Sequence, residues 1–158
     1  MYKTLTAAIA LIVIAMLALR FGAHAGTTKI VPVGQAVRQD DFLYTVTHVV
    51  AKRTPSSTVY AVTIRVDNQA LRVDYHWSDE IAFVEDAAGR KFQARADSAD
   101  EVSADPIVPP GGSADFTLDF ELPKDARAPM LRYWNGILMG DIFDGAAYAH
   151  AAIPLDSR

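Results

Sequence analysis

The side chains with most capacity for chemistry fall into three clusters. The first, Asp74-Tyr75-His76-Trp77-Ser78-Asp79-Glu80, sets an imidazole among three carboxylates. Zinc accepts histidine nitrogen and carboxylate oxygen, so Asp74, His76, Asp79 and Glu80 form a candidate set for a borderline divalent metal. The plainer reading is a polar inter-strand loop that Tyr75 and Trp77 pin to the edge of a β-structure, with an aromatic-polar mix suited to a protein contact. The second cluster, Asp97, Asp100, Glu101 and Asp105, offers hard oxygens of the kind calcium takes. Their spacing matches no calcium loop, and an acidic surface loop of the kind common in exported domains is the favoured reading. The third is GDIFDG, residues 140–145, where Asp141 and Asp144 sit between glycines. Its apolar neighbours Ile137, Leu138, Met139, Ile142 and Phe143 make either a packed irregular connection or an exposed patch for a partner. Tyr75, Trp77, Ile137, Ile142 and Phe143 are therefore the candidate contact residues.

The familiar catalytic frameworks are missing. There is no G-x-S-x-G elbow, no H-E-x-x-H, no phosphate-binding glycine loop ending in Lys-Ser or Lys-Thr, and no dinucleotide fingerprint. With no cysteine in the chain, a thiol nucleophile is excluded. The expectation is a non-enzymatic protein with no cofactor and no catalytic residue. His48 falls in register with Tyr44 and Val46 and reads as a core-edge residue, while His150 belongs to the last strand.

The elements that must carry these clusters begin after an unusual start. Lys3 is followed by residues 5–19, in which only Thr6 is polar, and then by Arg20 and a run of small residues. Ala23 and Ala25 fit the pattern that signal peptidase reads, which puts the cleavage candidate before Gly26. The alternative is an uncleaved anchor. Fifteen helical residues cover about 22 Å, so Arg20 would have to snorkel to span a core of roughly 30 Å. On either reading residues 1–25 are a targeting or tethering segment, and residues 26–158 are an exported domain, periplasmic or secreted.

The missing cysteine also excludes a lipoprotein signal and disulfide support. Without residues 1–25, 13 basic residues stand against 19 acidic ones, a net charge of −6. That balance argues against nucleic acid as a partner and against electrostatic binding to anionic membranes.

Beyond residue 29 the chain alternates with period two and shows almost no helical periodicity. Phe42, Tyr44 and Val46 share one face of a strand, and Tyr60, Val62, Ile64 and Val66 share one face of the next. Residues 81–84 and 90–92 read as a hairpin whose turn needs Gly89 in the left-handed region. Residues 94–106 are polar, acidic and unpatterned, a loop. Pro109-Pro110-Gly111-Gly112 cannot continue a central strand and forms a corner. After it, Ala114, Phe116, Leu118, Phe120 and Leu122 alternate with Asp115, Thr117, Asp119 and Glu121 until Pro123, a half-buried antiparallel strand. Its acidic residues discourage stray pairing at an edge. Residues 130–134 and 148–154 supply two more strands.

The order VPVGQAV, FLYTVTHV, VYAVTIRVDNQ, IAFVEDAAGRKF, VPPGGSADFTLDFELPKDA resembles the bacterial telokin-like family of exported immunoglobulin-like domains, which includes secreted immunoprotective antigens. The resemblance covers roughly residues 31–134. It is carried by Asp67-Asn68, by the hairpin Asp86, Gly89, Arg90 and Phe92, and by the strand that follows Pro110-Gly111. It implies an all-β fold, an immunoglobulin-like antiparallel β-sandwich, preceded here by one N-terminal hydrophobic helix. It transfers no catalytic residue. The function expected is an exported module acting through protein–protein contacts in the cell envelope. A metal- or small-ligand-binding sandwich using residues 74–80 or 97–105 stands as the alternative.

Overall fold

A computed structural model of the chain describes residues 28–95, 106–133 and 151–156. The N-terminal segment with its cleavage candidate Ala23, Ala25 and Gly26, the acidic loop Asp97 to Asp105, and Ile137, Ile142 and Phe143 lie outside the described residues, as does the expected N-terminal helix. Among the described residues no helix is long and apolar enough to cross a membrane.

Two sheets face each other. One has the order β2-β3-β4-β9, built from Ala36–Gln39, Phe42–Arg53, Ser57–Asn68 and Ser113–Pro123. The other has the order β1-β11-β10-β6-β7, built from Lys29–Ile30, Ala151–Pro154, Met130–Tyr133, Ala82–Glu85 and Lys91–Gln93. A two-residue pair, β5 (Tyr75–His76) with β8 (Ile107–Val108), closes one end. All pairings are antiparallel except β1 with β11. The fold is an antiparallel immunoglobulin-like β-sandwich.

The alternation read in the sequence explains the core. Val62, Ile64 and Val66 of β4 are fully buried, as are Leu118 and Phe120 of β9. They pack against Ala82 and Val84 of β6, Leu131 of β10 and Ile153 of β11 from the opposite sheet. Burying one such aliphatic or aromatic side chain contributes about 1.5–3 kcal/mol. The outer face of β4 and β9 is solvated and polar. Arg65 donates to both oxygens of Asp115 at 2.9 and 3.0 Å, and the Thr63 and Thr117 hydroxyls pair. β9 is an edge strand, and two of its three acidic residues are tied to cations: Asp115 to Arg65, and Glu121 to Arg95.

One register detail corrects the sequence reading. Val46 pairs with Ile64, but His48, not Thr47, pairs with Thr63. The extra residue is a β-bulge, and it reverses the facing of every later residue in β3. His48 is consequently exposed rather than a core-edge residue, and Val49 turns inward opposite Val62. Residue 81 likewise belongs to a short 3-10 turn, Asp79–Ile81, and the strand begins at Ala82.

Candidate functional site

Residues 68–81, which include the first cluster at 74–80, wrap one end of the sandwich. Its organiser is Asn68, the last residue of β4 and only 1% exposed. Its Nδ2 donates to the carbonyls of Val73, at 2.8 Å, and Val108, at 2.9 Å, while its Oδ1 accepts from the Ala70 amide at 2.9 Å. Its own backbone closes the proline-glycine corner. The Asn68 amide donates to the Gly112 carbonyl, and the Gly111 amide donates to the Asn68 carbonyl. Gly111 adopts φ +74°, a region costly for a residue with a Cβ, which explains a glycine there. A buried amide that satisfies three backbone groups fixes the loop at residues 69–74 against the corner.

From that anchor the chain alternates. Asp74 is exposed, Tyr75 buried, His76 exposed, Trp77 buried and Ser78 exposed. The Tyr75 ring stands edge-on to Phe42, centroids 4.9 Å apart, and to Tyr44 at 5.9 Å. Trp77 stacks on Phe116 at 4.0 Å, and its indole nitrogen donates to Asp79 Oδ1 at 2.8 Å. The Trp77 amide donates to the Pro106 carbonyl, which completes the seam with β8. This overturns the placing of Tyr75 and Trp77 on a contact surface. They are 6% and 8% exposed and belong to the core cluster.

The alternation puts Asp74 and His76 on the same outward face, but Asp79 and Glu80 do not join them in one ligand set. His76 points outward, opposite Ile107 in the register, whereas the Asp79 carboxylate is engaged by the Trp77 indole. The Ser78 hydroxyl accepts from the Glu80 amide and caps the 3-10 turn. No group of three or more histidine, aspartate or glutamate side chains among the described residues is placed to hold a metal ion. Asp74, His76, Asp79 and Glu80 are thus not gathered into one ligand set in this structure.

What this end presents instead is apolar. Among the described residues five large hydrophobic side chains are exposed, and three of them lie here: Leu71, Val73 and Ile107, at 91%, 59% and 51%. Val73 and the Ile107–Val108 pair are brought together because a single Asn68 amide group bonds to both backbones. Leu71 sits in the loop closed by that bond. The sequence reading missed these three residues. No sequence signal marks them, because Leu71, Val73 and Ile107 are ordinary apolar residues whose exposure only the folded chain shows.

Beneath the loop the sandwich is closed by tyrosines. Tyr44, Tyr75 and Tyr133 come from β3, β5 and β10, and the Tyr44 and Tyr133 rings lie 5.2 Å apart. Burial pushes the Tyr75 hydroxyl well above the usual phenol range, and the neighbouring Tyr44 and Tyr133 hydroxyls add to the effect. Burial raises Tyr133 likewise, with Tyr44 adding to it. Burial also raises Tyr44, although its hydrogen bond with Tyr75 pulls the other way. All three are neutral at physiological pH and serve as packing groups.

The opposite end is charged. Asp86 is buried at the start of the β6–β7 turn. Its Oδ1 accepts from the Ala88 and Arg90 amides, and its Oδ2 from the Arg90 guanidinium at 2.8 Å. Burial alone would raise this carboxyl, but the Arg90 side chain and the backbone amides more than offset it and hold it below the usual carboxylate range. Arg90 also reaches Asp125 at 3.0 Å. Gly89, at φ +77°, makes the turn as its position required.

No protein-family model and no curated protein matches the chain. Solved structures do. The yjhA protein from Bacillus subtilis aligns with a TM-score of 0.55 at 10% identity, over 79% of this chain and 98% of its own. An uncharacterized β-sandwich protein from Clostridium difficile 630 aligns at 0.53 and 11% identity, over 82% of this chain and 95% of its own. The secreted protein MPT63 from Mycobacterium tuberculosis aligns at 0.52 and 14% identity, over 70% and 92%. At these identities the similarity establishes the β-sandwich fold.

Proposed function

We propose that this chain is an exported, non-enzymatic contact module of the cell envelope that binds a protein partner through the end of the sandwich organised by Asn68. The observation that carries the reading is the placing of Leu71, Val73 and Ile107 at one end, on a frame fixed by buried hydrogen bonds, while the outer face of β4 and β9 carries the Arg65–Asp115 and Thr63–Thr117 pairs. Apolar side chains held out by a rigid scaffold gain more from burial in a partner than they lose in ordering. Export is supported by the apolar residues 5–19 with the small-residue stretch after them. One structural neighbour being a secreted protein agrees with that location. The telokin-like resemblance of residues 31–134 agrees with it too.

The test is a double substitution, Leu71→Asp with Val73→Asp, made in the full chain in its native cells. The expected result is loss of the native-size complex from gently solubilised envelope, with the amount of folded protein unchanged. A complex of unchanged size and yield would show that partners bind elsewhere.

A further inference from the structure

The end that carries Leu71, Val73 and Ile107 is also the end at which the N-terminal segment joins the sandwich. The register shows this. Lys29 and Ile30 run parallel to Ala151 and Ala152, and Ala152 lies beside Arg132, one residue before Tyr133 closes β10. The Tyr133 ring touches Tyr44, which touches Tyr75, so the start of β1, the end of β10 and the Asn68 loop share one end of the molecule. Thr28 therefore enters at the same end as the exposed apolar group. Only residues 20–27 separate it from the apolar stretch that ends at Leu19. Fully extended, eight residues span at most about 28 Å, and any bend shortens the reach.

Resting on the contact reading above, we infer that the partner is a protein embedded in the same membrane as residues 5–19, and that it meets Leu71, Val73 and Ile107 close to the bilayer surface. The sandwich is then held loop-end down, with its charged hairpin end pointing away from the membrane. A soluble partner has no reason to favour the one end that the tether keeps within about 28 Å of the bilayer. A partner already confined to that membrane does, because confinement raises its effective concentration at this end.

Charge selects protein over lipid as the occupant. Residues 38–41 and 69–80, at the same end as the apolar group, hold Asp40, Asp41, Asp74, Asp79 and Glu80 against Arg38 and Arg72, with Lys29 as a further base at this end. Surfaces that settle on lipid carry basic side chains beside their apolar ones, because headgroup regions are anionic or neutral and never cationic overall. An acidic rim is repelled by anionic lipid and gains nothing from zwitterionic lipid. It is complementary to a protein pocket with an apolar floor and basic walls, and that is the surface the partner is inferred to present on the exported side.

The experiment uses the full chain in its native membrane. A photo-reactive phenylalanine replaces Leu71, or replaces Ala88 at the opposite end as a control, and the envelope is washed with carbonate after illumination. The expected result is a discrete adduct at position 71 with a protein that resists carbonate extraction, none at position 88, and loss of the adduct when Val73→Asp is added. In parallel, Leu71→Cys carries a fluorophore in a chain that has no other cysteine. The full chain is reconstituted in phosphatidylcholine vesicles containing brominated lipid, and the expected result is no quenching.

Strong quenching there would make lipid the occupant and overturn the inference. An adduct only with carbonate-extractable proteins, or an intact mass beginning at Gly26 in the native envelope, would also overturn it while leaving the contact reading standing. Adducts at position 88 with none at 71 would bring down both.

Discussion

The two ends of this sandwich solve the same local problem with different chemistry. At each, a buried side chain of the Asn/Asp type gathers backbone groups that a turn would otherwise leave unpaired. At the loop end Asn68 does so as a neutral amide, donating to two carbonyls and accepting from one amide. At the hairpin end Asp86 does so as an anion, accepting from two amides and from Arg90. The neutral solution lets the loop end carry exposed apolar side chains without a fixed charge beneath them. The charged solution ties its end to Arg90 and Asp125 and leaves a polar, ionised tip. Rigidity and stickiness are separable: both ends are held firmly, and among the described residues the exposed group Leu71, Val73 and Ile107 lies at the loop end.

That comparison can be broken or sharpened by substitution. The largest effect is expected from Trp77→Ala, which empties the stack on Phe116 and should cost about 3–5 kcal/mol in chemical unfolding. A neutral outcome would return Trp77 to the surface. Asn68→Asp should follow closely. It turns the donor facing the Val73 and Val108 carbonyls into an acceptor and buries a charge there, a loss of about 3 kcal/mol at neutral pH. The reverse exchange at the other end, Asp86→Asn, tests the charged solution through pH. The Asp86 carboxyl is held below its unfolded value, so its contribution is present above an unfolded pKa of about 3.9 and lost as pH falls through the lower folded value. Asp86→Asn should lower the melting midpoint at neutral pH and remove part of the fall in acid. A parallel displacement of the whole pH profile would show that Asp86 acts only by packing. The smallest effect on stability is expected from Leu71→Asp with Val73→Asp, within about 0.5 kcal/mol. A large loss in thermal melting would mean those side chains support the fold.

The same two ends show what was legible in the sequence. Strict alternation located β4 and β9 and their core faces, since a half-buried strand cannot hide that pattern. Gly89 and the Pro-Gly corner marked their turns because few residues adopt the backbone required. The bulge in β3 was not legible. It depends on the pairing of Val46 and His48 with a partner strand, and nothing in TVTHVV itself inserts the extra residue. Asn68 looked like an ordinary strand ender. Its role arises from carbonyls five and forty residues away, which only the folded chain brings to one amide. The aromatics at 75 and 77 are a different kind of miss. Asp-Tyr-His-Trp-Ser alternates as cleanly as any strand, so their inward facing was available from the pattern. Residue type, aromatic and polar together, suggested a surface, and periodicity was the better guide. The apolar residues assigned as contacts in its place, Leu71, Val73 and Ile107, are ordinary side chains that become informative only once their exposure is known.

The most direct measurement of the central claim compares the reactivity of the two ends in place. Single cysteines at position 71 and at position 88, in a chain that otherwise has none, can be labelled with a membrane-impermeant maleimide in intact exported-side-accessible envelope and again in the purified protein. The account predicts that position 71 reacts much more slowly in the envelope than after purification, while position 88 reacts equally fast in both. Equal rates at position 71 in the two settings would contradict it, because the apolar end would then face water where its partner should be.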